Sequence, residues 1–276
     1  MKAKDNEKIK SFVLKKYRSV ARQGVSSGYN GLTCQGCCSS KEHSSVEIAT
    51  ATGYTQQELE AAPEGANLGL GCGNPQTIAD LRSGETVLDL GCGGGFDCFL
   101  AADQVGPEGF VIGVDMTPEM ISLARNNLAK SGFENVSFRL GEIENLPVTE
   151  GSVDVVISNC VINLTSDKRT AYREAFRVLK PGGRLAISDV LATAPIPEEM
   201  RQNVELWTSC VSGAAPVDEL KDILSEIGFE EIEIEFDQGG QEVMRQCAPG
   251  LGVENYVAPA GIVATKPIRQ RDRNPR

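Results

Sequence analysis

Nine cysteines and one dense glycine turn carry the chemical potential of this sequence. The cysteines are Cys34, Cys37, Cys38, Cys72, Cys92, Cys98, Cys160, Cys210 and Cys247. An odd count behind a charged first ten residues, which read as no signal peptide, is a poor disulfide framework. The expectation is thiol chemistry or binding of a soft metal or metalloid. Thiolates are the nucleophilic and ligating form, and several converging sulfurs select soft ions over hard ones. A single buried cysteine, by contrast, is usually a small hydrophobe. The glycine turn lies in Val87-Leu-Asp-Leu-Gly-Cys-Gly-Gly-Gly-Phe-Asp-Cys98. Glycines there let the backbone turn sharply and lie against a ligand with no Cβ in the way. The spacing of Gly91, Gly93 and Gly95 differs from the G-x-G-x-x-G of dinucleotide sites.

Strands and helices must bring these residues together. Apolar runs predict strands at 86–90, 110–114, 136–139, 153–158, 184–188, 230–235 and 261–265. Periodic stretches predict helices at 1–23, 118–131, 167–178, 198–209 and 218–227, with Thr117 as an N-cap and Gly132 as a stop. Near-continuous Val/Ile/Leu strands alternating with helices imply an α/β fold with a doubly wound, mostly parallel sheet. An antiparallel final pair closes it. Residues 1–75 read as an N-terminal helix and Cys-rich loop segment contributing to the substrate site. Residues 76–268 form the main domain, its part after 190 on the substrate side, and 269–276 are a polar tail.

Composition sets limits. The 276 residues are 41% apolar, enough for a sizeable core. A net charge of −11 argues against a nucleic-acid partner, which needs a basic face. No apolar run approaches a membrane span, so the chain reads as a cytoplasmic protein with no membrane partner.

In open parallel sheets, ligands bind outside the carboxyl ends of the strands. The turn with Gly91, Gly93 and Gly95 sits there, and it resembles the S-adenosylmethionine (SAM) loop of class I methyltransferases. Asp115 ends the second strand, placed to accept both ribose hydroxyls or else to cap the next helix. Met116 is placed to pack on adenine or in the core. Glu142 follows the third strand, facing the adenine amino group or solvent. Asn159 ends the fourth strand, near the methionine part. Asp89, inside a buried strand, needs a partner: the loop backbone or the ligand. A dehydrogenase reading is weakened by the glycine spacing and by the single histidine, His43, in a Gly/Ser/Cys-rich loop.

Further segments sharpen the resemblance. They are Leu70-Gly-Cys72-Gly, Gly113-Val-Asp-Met-Thr117, Ile143-Glu-Asn-Leu-Pro147, Ser158-Asn-Cys160-Val-Ile-Asn-Leu164 and Cys210-Val-Ser-Gly-Ala214. With the glycine turn they make the chain similar to the arsenite SAM methyltransferases over most of 65–230. The resemblance implies that Cys72, Cys160 and Cys210 bind trivalent arsenic as the substrate. It also implies a fourth functional thiol nearer the N-terminus, which falls on Cys38 or Cys37. SAM is the implied methyl donor and arsenite or its thiol conjugate the acceptor. The resemblance further implies an external thiol reductant, such as a thioredoxin or a small thiol, to restore the trivalent state. The residues alone leave two alternatives open: a methyltransferase of small organic molecules, and a metalloid-binding protein without turnover. Cys34-x-x-Cys37-Cys38 is half of a zinc-site spacing. Cys92 and Cys98 read as structural, Cys247 has no assigned role, and Tyr17 points from the first helix to the cofactor or the core.

Overall fold

The sheet is built from seven strands: β1 (Thr86–Leu90), β2 (Phe110–Asp115), β3 (Val136–Leu140), β4 (Val153–Asn159), β5 (Leu179–Ala192), β6 (Glu230–Phe236) and β7 (Val257–Thr265). The computed structural model describes residues 3–26, 44–248 and 250–268. Strand order is β3-β2-β1-β4-β5-β7-β6. The pairs β1/β2, β2/β3, β1/β4 and β4/β5 are parallel, whereas β7 runs antiparallel to both β5 and β6. This is the doubly wound, mostly parallel sheet with an antiparallel final pair that the alternation of strands and helices implies.

Side chains alternate across each strand, so one strand feeds two cores. Leu88, Leu90, Val114 and Val156 meet Tyr172, Ala175 and Val178 of α7 (Lys168–Val178) and Leu220 and Leu224 of α10 (Val217–Ile227). Val87, Val111, Val155 and Ile157 face the other way. They meet Ala79 of α4 (Gln76–Ala79), Phe99 and Ala102 of α5 (Phe96–Val105), and Ile121 and Ala124 of α6 (Pro118–Lys130). Phe99 is fully buried and packs edge-on against Phe138, so truncating it to Ala costs about 3–5 kcal/mol.

Before the sheet come α1 (Ala3–Ser26), α2 (Ser45–Ala51) and α3 (Gln56–Ala61). The last two each start with a capping box, Ser44 with Glu47 and Thr55 with Glu58. After β5 come α8 (Glu198–Arg201) and α9 (Val204–Trp207), and α11 (Gly240–Cys247) precedes β7.

Several sequence expectations change. The single helix expected over 198–209 is two short ones. Asn203 Oδ1 accepts the N–H groups of Glu205 and Leu206 at 2.9 and 3.2 Å, capping a new start. Gly132 does not end α6; the extended backbone of Ser131 does. Strand β5 is far longer than 184–188. It begins at Leu179 across a register shift against β4 and continues to Ala192, paired with β7 throughout its later part. That overhang carries Asp189 and Val190 beyond the sheet edge that β4 reaches. Helix α11 has no counterpart in the sequence reading.

Candidate active site

The sheet order reverses between β1 and β4, so a crevice opens at their carboxyl ends. The glycine turn fills one side. Gly91 has φ +71°, and a Cβ on it would stand 2.4 Å from Val161 Cγ2. Gly93 also lies in the left-handed region at φ +50°, but its Cβ position meets nothing, so the turn is open to the crevice there. Gly94 lines the cavity as well. Gly95, expected at the ligand, is the N-cap of α5 at φ +91° and lies just outside the cavity lining; a Cβ on it would meet Phe138 and Phe99.

Asp115 holds this turn to α6. Its Oδ2 accepts the Gly93 N–H at 3.0 Å and its Oδ1 the Thr117 N–H at 2.8 Å. Thr117 occupies the N-cap position without a side-chain cap bond, so Asp115 supplies the acceptor. The helix-cap role and the cavity-facing role therefore coexist in one carboxylate. Burial raises its pKa, opposed by these N–H bonds.

Two further buried acids face the same cavity. Asp89 finds its partner in Cys98, whose Sγ donates to Oδ2 at 3.2 Å. Burial pushes Asp89 well above the carboxylate range, and the Asp97 charge adds to it. Asp97 was not anticipated as a site residue. Its Oδ1 accepts the Tyr54 hydroxyl at 2.7 Å and the Gln76 amide at 3.2 Å, while Oδ2 accepts from Asn159 at 3.4 Å. Burial raises it too. The signal was present: an acid directly after the glycine turn, at the amino end of a helix whose other first-turn residues are apolar.

The cavity measures about 370 Å³ and is lined by Asp89, Asp97, Asp115, Met116, Glu142, Asn159 and Cys160, with Lys10 and Tyr17 of α1 above. Glu142 is half-exposed and ion-paired with Lys10, so α1 closes over the ribose-and-adenine side predicted from sequence. Tyr17 lines the cavity and its hydroxyl donates to the Thr208 carbonyl at 3.5 Å. Two buried carboxylates, Asp89 and Asp97, and the partly buried Asp115 around one cavity fit a ligand with net positive charge, whose approach favours their ionised forms. SAM carries a sulfonium and an ammonium against one carboxylate, and the open face of Gly93 leaves room for its backbone-bound part. The residues present fit that cofactor.

The cysteine cluster adjoins this cavity through Cys160. Cys72 and Cys160 form a disulfide with Cα atoms 5.9 Å apart. Cys210 Sγ donates to the Cys160 carbonyl at 3.0 Å. All three are buried among Val190, Ile196, Leu206 and Val257. Cys160 and Cys210 both hold φ in the left-handed region, at +57° and +63°, which is strained for any residue with a Cβ. The expected trio of thiolates is thus met as one disulfide and one thiol. Burial pushes the Cys210 thiol well above its usual range, and the Asp189 charge pushes it further. Binding a trivalent metalloid through all three therefore requires reduction of Cys72–Cys160 first.

Asp189 is a second residue the sequence reading passed over. It sits on the β5 overhang and accepts the Val190 N–H at 2.8 Å, the Asn163 side chain at 2.9 Å and the Asn163 N–H at 3.2 Å. Burial lifts its pKa to about 6. Its position at the carboxyl end of the fifth strand was the available clue. Cys92 lines the cavity floor, and burial raises its pKa to about 11. Cys34, Cys37, Cys38 and His43 lie outside the described residues. Cys247 ends α11. No helix among the described residues is long and apolar enough to cross a membrane.

A reversed sheet order, a glycine turn tied to a strand-end aspartate and an acid-lined cavity define a SAM-dependent methyltransferase. The "Methyltransferase domain" family model matches residues 81–235. An arsenite methyltransferase of Halobacterium salinarum is 48% identical over 96% of this chain and 68% of its own length. The human arsenite methyltransferase is 43% identical over 58% of this chain and 44% of its own. A solved arsenic(III) SAM methyltransferase from Chlamydomonas reinhardtii is 32% identical, covering 80% of this chain and 73% of that one, with a TM-score of 0.58. The chain belongs to the arsenite methyltransferase family. It spans about half the length of some curated relatives it matches, 50% for the Aquipseudomonas alcaligenes enzyme and 44% for the human one.

Proposed function

We propose that this chain transfers the methyl group of SAM to trivalent arsenic held by Cys72, Cys160 and Cys210, a reaction of arsenic detoxification. The observation that carries this reading is the sharing of Cys160 between the acid-lined cavity and the buried cysteine cluster. When bound, SAM supplies an electrophilic methyl group on a positively charged sulfur. Asp89, Asp97 and Asp115 hold that cation, and Gly91, Gly93 and Met116 shape its berth. Glu142 and Asn159 complete the lining. The buried setting strengthens each of these charge contacts relative to water.

Three sulfurs bind arsenic(III) as substrate and leave its lone pair free to accept the methyl group. Exchange of arsenite hydroxides for thiols releases water, so no base has to act on arsenic itself. Holding donor and acceptor together supplies up to ~7–11 kcal/mol of the barrier reduction. The methylated arsenic is formally pentavalent. Two electrons from a pair of cysteine thiols return it to the trivalent state and leave a disulfide, of which Cys72–Cys160 is the form at hand. A thioredoxin or small thiol then reopens the pair, with Cys38 as the exchanging thiol. A reducing cytoplasmic setting suits this cycle.

The test is incubation of the protein with methyl-labelled SAM, a thiol and arsenite, followed by chromatography of arsenic species. Labelled mono- and dimethylated arsenicals are expected, with loss of product in Cys160→Ser and Cys210→Ser. Unlabelled arsenic with intact SAM overturns the reading.

A further inference from the structure

The cysteine pair has a third neighbour that arsenic chemistry does not use. One carboxylate oxygen of Asp189 and the Sγ atoms of Cys72 and Cys160 all lie within 4.8 Å of one another, and all three residues are buried. We propose that the reduced Cys72–Cys160 pair and Asp189 form a site for a thiophilic divalent cation of the zinc and cadmium class, distinct in its ligand set from the arsenic site. It stands whether or not arsenic is the substrate.

The donor set fits such an ion. Two thiolates, one carboxylate and a water make a four-coordinate shell of the kind that closed-shell divalent ions accept. Asp189 is already oriented: Asn163 donates to both of its oxygens and Val190 to one, as second neighbours hold carboxylate ligands elsewhere. Charge balances as well. Two thiolates and the carboxylate, offset by the Lys168 ammonium that acts on Asp189, leave two negative charges. A divalent cation neutralises them in a buried pocket where an uncompensated charge is costly. Asn159 holds the Cys72 backbone beside Cys160 through the Cys72 N–H, so the two sulfurs stay neighbours when the disulfide opens and they move apart to ligand spacing.

Loading the site begins with reduction of the disulfide. A phosphine takes an oxygen atom from water, gives two electrons to the S–S bond and leaves two thiols and a phosphine oxide. The cation then displaces both thiol protons. Arsenic(III) needs three sulfurs, including Cys210, and leaves Asp189 aside. The divalent cation takes Asp189 and leaves Cys210 aside. The two ligands share Cys72 and Cys160, so each excludes the other.

The experiment uses the full chain reduced with a phosphine, freed of it anaerobically, and titrated with Zn²⁺ alone or arsenite alone. X-ray absorption at the zinc edge is expected to show two sulfur and two oxygen or nitrogen neighbours. Three sulfurs, or none, overturns the proposal. Asp189→Asn is expected to weaken Zn²⁺ binding by about tenfold or more while arsenite affinity is retained. Cys210→Ser is expected to do the reverse. Equal loss of both ligands in a folded Asp189→Asn protein, or unchanged Zn²⁺ affinity in it, also overturns the proposal. The wild-type absorption spectrum decides the matter even where Asp189→Asn does not fold.

Discussion

Asn159 Oδ1 accepts the backbone N–H of Cys72 at 3.0 Å, while its Nδ2 donates to the Gly73 carbonyl at 2.8 Å. One amide thus clasps the turn carrying Cys72, and the next residue in the chain is Cys160. A Cβ on Gly71 would stand 2.5 Å from Asn159 Nδ2, so the clasp also explains the glycine before Cys72. The same Nδ2 reaches the Tyr54 hydroxyl at 3.0 Å. The acid-lined cavity and the cysteine cluster are joined through this side chain.

Asn159→Ala is therefore expected to damage the cysteine geometry beyond its effect on stability. It leaves the partly buried Cys72 N–H and Gly73 carbonyl without their side-chain partner, at a cost of about 1 kcal/mol for each lost bond. After reduction, re-formation of Cys72–Cys160 by an added disulfide oxidant should slow, measured by alkylation of free thiols and mass spectrometry. Wild-type closure rates in a destabilised variant would show that Asn159 stabilises without aligning.

Much of the frame was legible because strands buried on both faces are nearly all Val, Ile and Leu. Val153–Asn159 and Phe110–Asp115 announce themselves by composition, and Asp115 and Asn159 by ending them. Broken helices were harder. The pattern over 198–209 has one apolar period, and only the Asn203 cap, a local hydrogen-bond choice, divides it. The acids were harder still. Asp97 and Asp189 resemble solvated carboxylates in sequence, and only the packing of Tyr54, Gln76 and Asn163 around them reveals buried roles. The pairing of Cys72 with Cys160 is a long-range contact that spacing cannot specify.

The left-handed backbone at Cys160 and Cys210 gives a way to separate strain from chemistry. Cys210→Gly and Cys210→Ala remove the same thiol, but only glycine relaxes at φ +63°. Under reducing conditions Cys210→Gly should be the more stable of the two by about 0.5–1 kcal/mol in urea denaturation. Both should lose arsenite methylation to the same degree. Residual methylation in either variant would remove Cys210 from the substrate site, and equal stability would remove the strain.

Asp115 lines the cavity and also ties the glycine turn to α6, so the choice of substitution matters. Asp115→Asn keeps an acceptor for one N–H and loses the charge, whereas Asp115→Ala strands both the Gly93 and Thr117 donors. SAM affinity, followed by calorimetry, should fall about tenfold in Asp115→Asn, a loss of about 1.4 kcal/mol. It should fall further in Asp115→Ala, together with thermal stability. An Asp115→Asn protein binding SAM as tightly as wild type would leave the residue a helix cap alone.

Asp189 should leave a mark on stability as a function of pH. Burial raises its folded-state pKa from 3.8 to about 6, while Lys168 and the N–H donors hold it from rising further. Cys210, Tyr172 and Lys168 are the titratable groups that feel its charge. Between those two pH values the folded chain binds more protons at this position than the unfolded chain. Stability then falls as pH rises through the window from about 4 to about 6 and levels off above it. At ~1.36 kcal/mol for each tenfold change, the full effect is about 3 kcal/mol. Asp89, Asp97 and Asp115 are also raised by burial and act with the same sign, so wild type alone cannot isolate Asp189. Asp189→Asn can, since it keeps an oxygen acceptor for the Val190 and Asn163 donors and cannot ionise. Urea unfolding from pH 4 to 8 should show the variant gaining on wild type as pH rises, most steeply near the middle of that window, at about pH 5, and levelling off above about pH 6. A difference between the two proteins that stays flat over that range would mean that Asp189 titrates alike in the folded and unfolded chains.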